Sequence, residues 1–289
     1  MSTHVTRLLL GLLALAGCKA TVEQEITYDE RFGDSTTMDV FLPVDEPMEP
    51  RPAVMLVHGG SWRYFDRDRY KSVARRLARS GYVTASIDYR LVPAGEFPNA
   101  VHDTSCALAY LQNHADELGI DPARIVLIGY SAGAHLSSLV AVADDPSLMP
   151  DCAEGAPSKP AAVISGAGPQ DMRTLPDARA VREFMGGSES DLPEAYALAS
   201  PVSHASADDP PFLFIHGAQD LFVDLDQSEA MRGLLLDQGV EAELLQLAGT
   251  GHVFNPSDDA TTLGIGLSTD APEAWIAVMD FLERTVGVP

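Results

Sequence analysis

Basic side chains are scarce in this sequence of 289 residues, in which 19 Lys and Arg stand against 42 Asp and Glu for a formal net charge of −23. Nucleic-acid binding needs a basic face that displaces counterions from phosphates, so the charge balance argues against such a partner. It also disfavours attraction to anionic lipid headgroups. Acidic pairs such as Asp144-Asp145 lack the closely alternating oxygen ligands of a calcium loop. We therefore expect a solvated acidic surface and no metal site.

The sequence also lacks an apolar run long enough to span a bilayer as a helix. Its N-terminal run extends only from Leu8 to Ala16 and follows a single Arg, which is typical of an export signal. The letters "LAGC" at 15–18 resemble the lipobox of bacterial lipoproteins, which are cut before the Cys and acylated on it. A plain secretory signal is the alternative.

The lipobox resemblance implies a signal peptide over 1–17 and lipidation of Cys18, which would tie the protein to a membrane only through its lipid anchor. Loss of 1–17 removes Arg7, so the charge becomes 18 − 42 = −24. Lys19 resembles a signal for sorting to the outer membrane. We expect an exported lipoprotein of the outer membrane or facing the periplasm. The sequence does not indicate an oligomeric state.

Cysteine is rare as well, at three residues. With Cys18 lipidated, Cys106 lies on a predicted helix and Cys152 in a predicted loop. Export permits a disulfide between them, but sequence does not place their Cα atoms within bridging distance. The sequence favours two separate thiols over a bridge and leaves both open.

Strand and helix patterns alternate along the chain without repeats or low-complexity tracts. After an N-terminal arm (18–35), residues 36–289 are predicted to form one α/β domain with a mostly parallel sheet and helices on both faces. An irregular insert, with one short amphipathic helix, occupies 167–209 after the sixth strand. The predicted strands are 21–28, 36–43, 53–60, 82–90, 124–130, 161–168, 211–217 and 241–249, and the predicted helices are 66–80, 99–118, 132–143, 225–238 and 271–285.

The pentapeptide "GYSAG" at 129–133 follows the buried run "RIVLI" and opens a helix. This is the setting of a nucleophile elbow, in which a strained turn exposes a serine hydroxyl. Glycines on both sides relieve crowding there, and the N-terminus of the helix directs its N–H groups at the reacting centre. The context makes Ser131 the candidate nucleophile.

A serine hydroxyl needs a base, and the base needs an orienting carboxylate. Of the eight histidines, His252 in "AGTGHVF" lies on a loop between the last strand and the last helix, where it can reach over the sheet. Asp220, just past the strand "PFLFIHG", is the candidate acid, with Asp224 and Asp171 as rivals. The chain order Ser131, Asp220, His252 is that of nucleophile, acid and histidine in α/β-hydrolases.

The motif "HGGSW" at 58–62 follows the strand "AVMLV". Glycines let backbone N–H groups approach a developing oxyanion closely. The candidate donors are the N–H groups of Gly60, Ser61 and Ala132, with Gly59 as a further candidate. Trp62 and Tyr130 flank the motifs and are candidate pocket residues.

Five segments together resemble the α/β-hydrolase superfamily, closest to its hormone-sensitive-lipase-like esterases and to the group named for feruloyl and acetyl esterases. They are "HGGSW", "DYRLVPAGEFPNAVHD", "GYSAGAHL", "SPVSHASADDPPFLFIHGAQD" and "GTGHVF". The resemblance covers about 36–286 and implies an eight-stranded mixed sheet, an ester hydrolase and no cofactor. Ser61 replaces the third glycine of the usual motif, and the arm is too short for the N-terminal cap helices of the lipase-like group. Any covering of the site is therefore expected from the insert, which could equally only close the edge of the sheet.

The resemblance predicts a serine carboxylester hydrolase that acts on short-chain acyl or aryl esters through an acyl-enzyme. Two alternatives remain. The same machinery cleaves amides in arylformamidases and serine exopeptidases, and a non-catalytic binding protein could share the fold, although such a protein would normally have lost part of the triad.

Overall fold

The alternating strands and helices build one eight-stranded sheet in the computed structural model, which describes residues 21–44, 49–175, 178–254 and 272–289. The order across the sheet is β1-β2-β4-β3-β5-β6-β7-β8. Both pairs of β2, with β1 and with β4, are antiparallel, whereas the other five pairs are parallel. This confirms the predicted mostly parallel sheet. The strands are Thr21–Thr27 (β1), Thr37–Pro43 (β2), Arg51–Val57 (β3), Val83–Ile87 (β4), Ile120–Tyr130 (β5), Ala162–Gly166 (β6), Phe212–Gly217 (β7) and Ala242–Leu247 (β8).

Helices cover both faces of the sheet because its central strands are apolar on both sides. In β3 the side chains of Ala53, Met55 and Val57 join the core beneath α2 and α4. Val54 and Leu56 point the other way, into the core beneath α1 and α8. The helices are Lys71–Arg79 (α1), Asn99–Asn113 (α2), Ala115–Leu118 (α3), Ala132–Val142 (α4), Arg179–Met185 (α5), Pro193–Leu198 (α6), Asp226–Asp237 (α7) and Pro272–Val286 (α8).

Several element boundaries differ from the predicted ones. The predicted helix 99–118 is two helices, α2 and α3, which meet at His114. The insert holds two short helices, α5 and α6, where one is predicted. The strand β1 lies in the predicted arm 18–35 and yet is the edge strand of the main sheet. The predicted signal peptide 1–17 and Cys18 lie outside the described residues.

Cys106 and Cys152 form a disulfide, with their Cα atoms 5.9 Å apart. The expectation of two separate thiols is wrong, because the loop that follows α4 folds back along α2. Gln112 and Asn113 at the end of α2 hydrogen-bond the backbone of Ser158 and Glu154 in that loop.

None of the helices within the described ranges is long and apolar enough to cross a bilayer.

Candidate active site

Ser131 occupies a sharp turn between the last residue of β5 and the first residue of α4. Its backbone is in a strained conformation, with φ 53° and ψ −121°. The turn requires Gly133, because a Cβ at this position would overlap the backbone carbonyls of Val57 and His58 on β3 and the segment after it. The local structure therefore presents the Ser131 hydroxyl at the carboxyl end of the sheet, as expected for a nucleophile elbow.

Three side chains from separate elements form one hydrogen-bonded line at this end of the sheet. The Nε2 of His252 lies 3.0 Å from the Oγ of Ser131. The Nδ1 of the same ring lies 2.7 Å from the Oδ2 of Asp220, which follows β7. The three residues picked out by chain order are thus brought into contact.

The Asp220 carboxylate is buried and held on both oxygens. Its Oδ1 accepts the backbone N–H groups of Phe222 at 2.9 Å and Val223 at 3.0 Å. Burial by itself would raise the pKa of this carboxyl, but hydrogen bonds from His216 and His252, the charge of His252 and the Val223 amide together lower it well below its usual value. Asp220 is therefore anionic at neutral pH and can stabilise a protonated His252.

Both rival carboxylates are engaged elsewhere. Asp224 accepts the backbone N–H of Asp226 at 3.1 Å, at the start of α7. Asp171 pairs with the guanidinium of Arg173, with 2.8 Å between Oδ1 and Nε. Only the turn after β7 therefore directs a carboxylate at His252 among these three candidates.

The segment 58–62 lies against the elbow, and its residues 60–62 line a cavity beside Ser131. Gly60, Ser61 and Trp62 all have positive φ, at 112°, 54° and 57°. Among the described residues, no backbone hydrogen bond outside helices and strands uses the N–H of Gly60 or Ser61. Ala132 begins α4, and the first N–H groups of a helix have no partner within it. The three candidate donors, Gly60, Ser61 and Ala132, line the cavity beside Ser131, as an oxyanion hole requires.

Gly59, the further candidate donor, is placed differently. It does not line the cavity described here but packs against the elbow, where a Cβ on it would lie 2.8 Å from the carbonyl oxygen of Tyr130. Its position accounts for the glycine through close packing. A role for its N–H stays a prediction.

A cavity of about 410 Å³ opens above Ser131. Its described lining holds no Asp, Glu, Lys or Arg, and aromatic rings and small apolar side chains form most of the wall. The insert contributes part of this wall, so it shapes the cavity and does more than close the edge of the sheet. The insert residues concerned are Pro169, Leu175, Ala178, Ala180 and Val181.

The two candidate pocket residues have additional structural contacts. Trp62 is 3% exposed and stacks on Phe184 of α5, with ring centroids 4.4 Å apart. It thereby fixes the insert over the site. Tyr130 lines the cavity, and its hydroxyl donates to the backbone carbonyl of His252. That bond ties the elbow to the histidine loop.

Sequence reasoning passed over several residues of the site. Tyr64, Phe65 and Phe222 line the cavity. They were not predicted because they stand in irregular segments with no periodic pattern. His216 also contacts Asp220, and the four-residue spacing across a strand end in "HGAQD" is the one signal for it.

The described part of the chain holds no group of three or more His, Cys, Asp or Glu that could share a metal ion. The expected lack of a metal or cofactor stays a prediction.

Comparison with known proteins supplies a family and a fold. The BD-FAE family model matches residues 38–235. Esterase LipC of Mycobacterium tuberculosis is 32% identical over 246 residues, which cover 80% of this chain and 60% of that protein. The probable carboxylic ester hydrolase LipM of the same organism is 32% identical over 272 residues, covering 89% and 60%. The chain thus spans about 60% of the length of these curated relatives.

A solved structure described as a truncated carbohydrate esterase from gut microbiota has a TM-score of 0.75 with this chain. The two are 23% identical, and the match covers 92% of this chain and 96% of the other. Together with the sheet order, this likeness confirms the predicted α/β-hydrolase fold.

Proposed function

Since this chain belongs to the BD-FAE family, we propose that it is a serine carboxylester hydrolase that acts on short-chain acyl or aryl esters. One observation carries the proposal: Ser131, His252 and Asp220 stand in one hydrogen-bonded line, with 3.0 Å and 2.7 Å between the bonded atoms. The names of LipC and LipM, an esterase and a probable carboxylic ester hydrolase, support the same reaction class.

In the proposed reaction the Oγ of Ser131 attacks the ester carbonyl while the Nε2 of His252 takes its proton. The N–H groups of Gly60, Ser61 and Ala132 stabilise the oxyanion of the tetrahedral intermediate. Collapse breaks the bond to the alcohol, which leaves with the proton from His252, and an acyl-Ser131 ester remains. Water then attacks this ester with His252 again as base, and the acid is released. Asp220 holds the imidazole in the required tautomer throughout.

The cavity supports a neutral, apolar ester as substrate. Its lining lacks acidic and basic side chains apart from His252 among the described residues, so a charged substrate would lose its hydration without gaining a partner. A volume of about 410 Å³ suits a short acyl chain or an aryl group better than a long lipid tail.

The test is turnover of 4-nitrophenyl acetate and butyrate by wild type, Ser131→Ala and a matched control, Ser137→Ala. Ser137 is a buried serine of the same helix without a contact to His252. We expect the first variant to fall to the uncatalysed background and the second to keep activity within a few-fold. Unchanged turnover in Ser131→Ala would refute the proposal. Faster cleavage of the matching 4-nitroanilides than of the esters would favour an amide-cleaving enzyme.

We further propose that the protein is exported and anchored by a lipidated Cys18. The motif "LAGC" supports this, and so does the Cys106–Cys152 disulfide, because disulfides persist in oxidising compartments. Expression in a bacterium fed radiolabelled palmitate should label wild type and not Cys18→Ser. Equal labelling of the two, or none of either, would overturn the anchor without affecting the proposed activity.

A further inference from the structure

A second imidazole, besides that of His252, contacts the Asp220 carboxylate. His216 stands near the end of β7, four residues before Asp220, and is fully buried. Its Nε2 lies 3.3 Å from the Oδ2 of Asp220. That is the same oxygen that accepts from the Nδ1 of His252.

The surroundings of His216 decide where its proton sits. Besides Oδ2, its Nε2 faces the backbone carbonyl of Val223 at 2.9 Å. A carbonyl and a carboxylate can only accept, so Nε2 must carry a hydrogen. The other nitrogen, Nδ1, lies 2.7 Å from the hydroxyl of Ser228 on α7, which can donate to it. The hydrogen on Nε2 therefore faces the Val223 carbonyl at 2.9 Å and the Oδ2 of Asp220 at 3.3 Å, while the Ser228 hydroxyl meets the ring at Nδ1.

The five side chains form a line that runs Ser131, His252, Asp220, His216, Ser228. The second half of this line is not a second active site. Ser228 and His216 are both fully buried, and neither lines the cavity, so an ester cannot reach them. Their effect on chemistry must pass through the groups that His216 contacts, which are the Asp220 carboxylate and the Val223 carbonyl.

We propose that His216 is a positioning residue, which shares the Oδ2 of Asp220 with His252 and so limits the negative charge that His252 meets. The inference deepens the proposed hydrolase function and rests on it. It accounts for a buried histidine and serine that the reaction itself does not use.

The expected effect of losing His216 follows from how Asp220 is held. The N–H groups of Phe222 and Val223 secure Oδ1, so the carboxylate stays in place. Oδ2 then directs its whole charge at His252, which favours the imidazolium form. His252 acts as a base only when neutral, so the acid limb of the reaction should move to higher pH. Within the described residues, His216 and His252 are the titratable groups in contact with Asp220.

The experiment compares two amide variants by the rate at which an alkyl fluorophosphonate labels Ser131 across pH 4.5 to 9. In His216→Gln the amide nitrogen can reach the position of Nε2 and donate to Asp220. In His216→Asn it reaches only the position of Nδ1, beside Ser228. We expect the midpoint of the acid limb to rise by about 0.5 to 1 pH unit in His216→Asn and to stay near wild type in His216→Gln.

The control is Phe214→Leu, a buried substitution two residues earlier on the same strand. It should lower the melting temperature without moving the acid limb, which separates positioning from loss of stability. An unmoved or lowered midpoint in His216→Asn would overturn the role of His216. If wild type is labelled in the same experiment, the hydrolase proposal stands even when the role of His216 is overturned. Absence of labelling in folded wild type refutes the hydrolase proposal itself.

A second measurement needs no variant that might fail to fold. Nitrogen-15 NMR of wild type labelled at histidine should show a ring that carries a hydrogen on Nε2 and is assigned to His216. A ring protonated only on Nδ1 would overturn the proposal, because it could not donate to Asp220.

Discussion

Asp220 orients the imidazole of His252, which neither Asp224 nor Asp171 contacts. Its Oδ1 accepts from two backbone amides and its Oδ2 accepts from His252 and contacts His216, whereas Asp224 only accepts at the start of α7. We predict that Asp220→Asn lowers kcat on a nitrophenyl ester on the order of 10³- to 10⁴-fold, because an amide can favour the wrong imidazole tautomer. Asp224→Asn is the matched control and should stay within a few-fold of wild type. Equal losses in the two variants would mean that the acid is misassigned.

Two other histidines, His58 and His135, are buried and should make the free energy of unfolding depend on pH. Burial lowers the pKa of each to about 4, although a hydrogen bond to a backbone carbonyl opposes the shift. The unfolded chain binds these protons near pH 6.5, so acid favours unfolding over the window from about 6.5 down to 4. Each ring should remove about 1 kcal/mol from the free energy of unfolding per pH unit in that window.

Chemical denaturation at pH 7.0, 6.0 and 5.0 checks this dependence. We expect a shallower fall in His135→Gln, whose amide can still bond the carbonyl of Ala199 without taking up a proton. His102→Gln, at a half-buried position on α2, is the control and should keep the wild-type slope. A slope that is the same in all three proteins would contradict the prediction.

Sequence reasoning reached Ser131, Asp220 and His252 through chain order and through the elements that precede them. It did not reach His216, because contact with Asp220 depends on the turn that follows β7 and on the hydroxyl that α7 brings up to the ring. For the same reason it left Asp224 and Asp171 as rivals. Local turn geometry, which residue types and spacing do not determine, separates these carboxylates.

At the scale of elements, apolar runs predicted all eight strands in their chain order. Those runs are strong signals because β3, β6, β7 and the part of β5 from Ile125 onward are buried on both faces. The insert was harder to predict. Helices α5 and α6 have seven and six residues, too short to be stable alone, and they depend on contacts such as Phe184 on Trp62. Such contacts between distant segments leave no periodic pattern.

In the proposed esterase reaction, the part of the cavity wall that comes from the insert should determine the preferred length of the acyl chain. Val181 on α5 lines the cavity and is largely buried, so Val181→Phe should narrow it. We expect the ratio of kcat/KM for nitrophenyl acetate over nitrophenyl hexanoate to rise about tenfold, the effect of one or two methylenes in an apolar pocket.

Val202→Phe is the matched control for this change. Val202 follows the insert helices and packs against the core beneath α7, away from the cavity. It should leave the ratio as in wild type. If both variants shift the ratio equally, or if neither does, the insert does not set acyl-chain preference.

At the scale of the whole molecule, the Cys106–Cys152 disulfide joins residues 46 apart in sequence and encloses β5, Ser131 and α4. Closing a loop of this length in the unfolded chain predicts about 4 kcal/mol of stabilisation in the chain-entropy model. The double variant Cys106→Ser/Cys152→Ser should therefore melt at a lower temperature while it keeps ester turnover below that temperature. Wild type reduced with dithiothreitol should show the same lower melting temperature and the same retained turnover. Unchanged melting of the double variant would contradict the prediction.

The proposed reaction depends on Ser131 being an activated nucleophile. Intact-mass spectrometry after incubation with a fluorophosphonate, followed by peptide mapping, reports this reactivity and requires no knowledge of the natural substrate. We predict a single adduct, on the peptide that carries Ser131, and no adduct in Ser131→Ala. Folded wild-type protein that takes up no adduct, or an adduct that maps to another residue, would refute the role of Ser131 as the nucleophile.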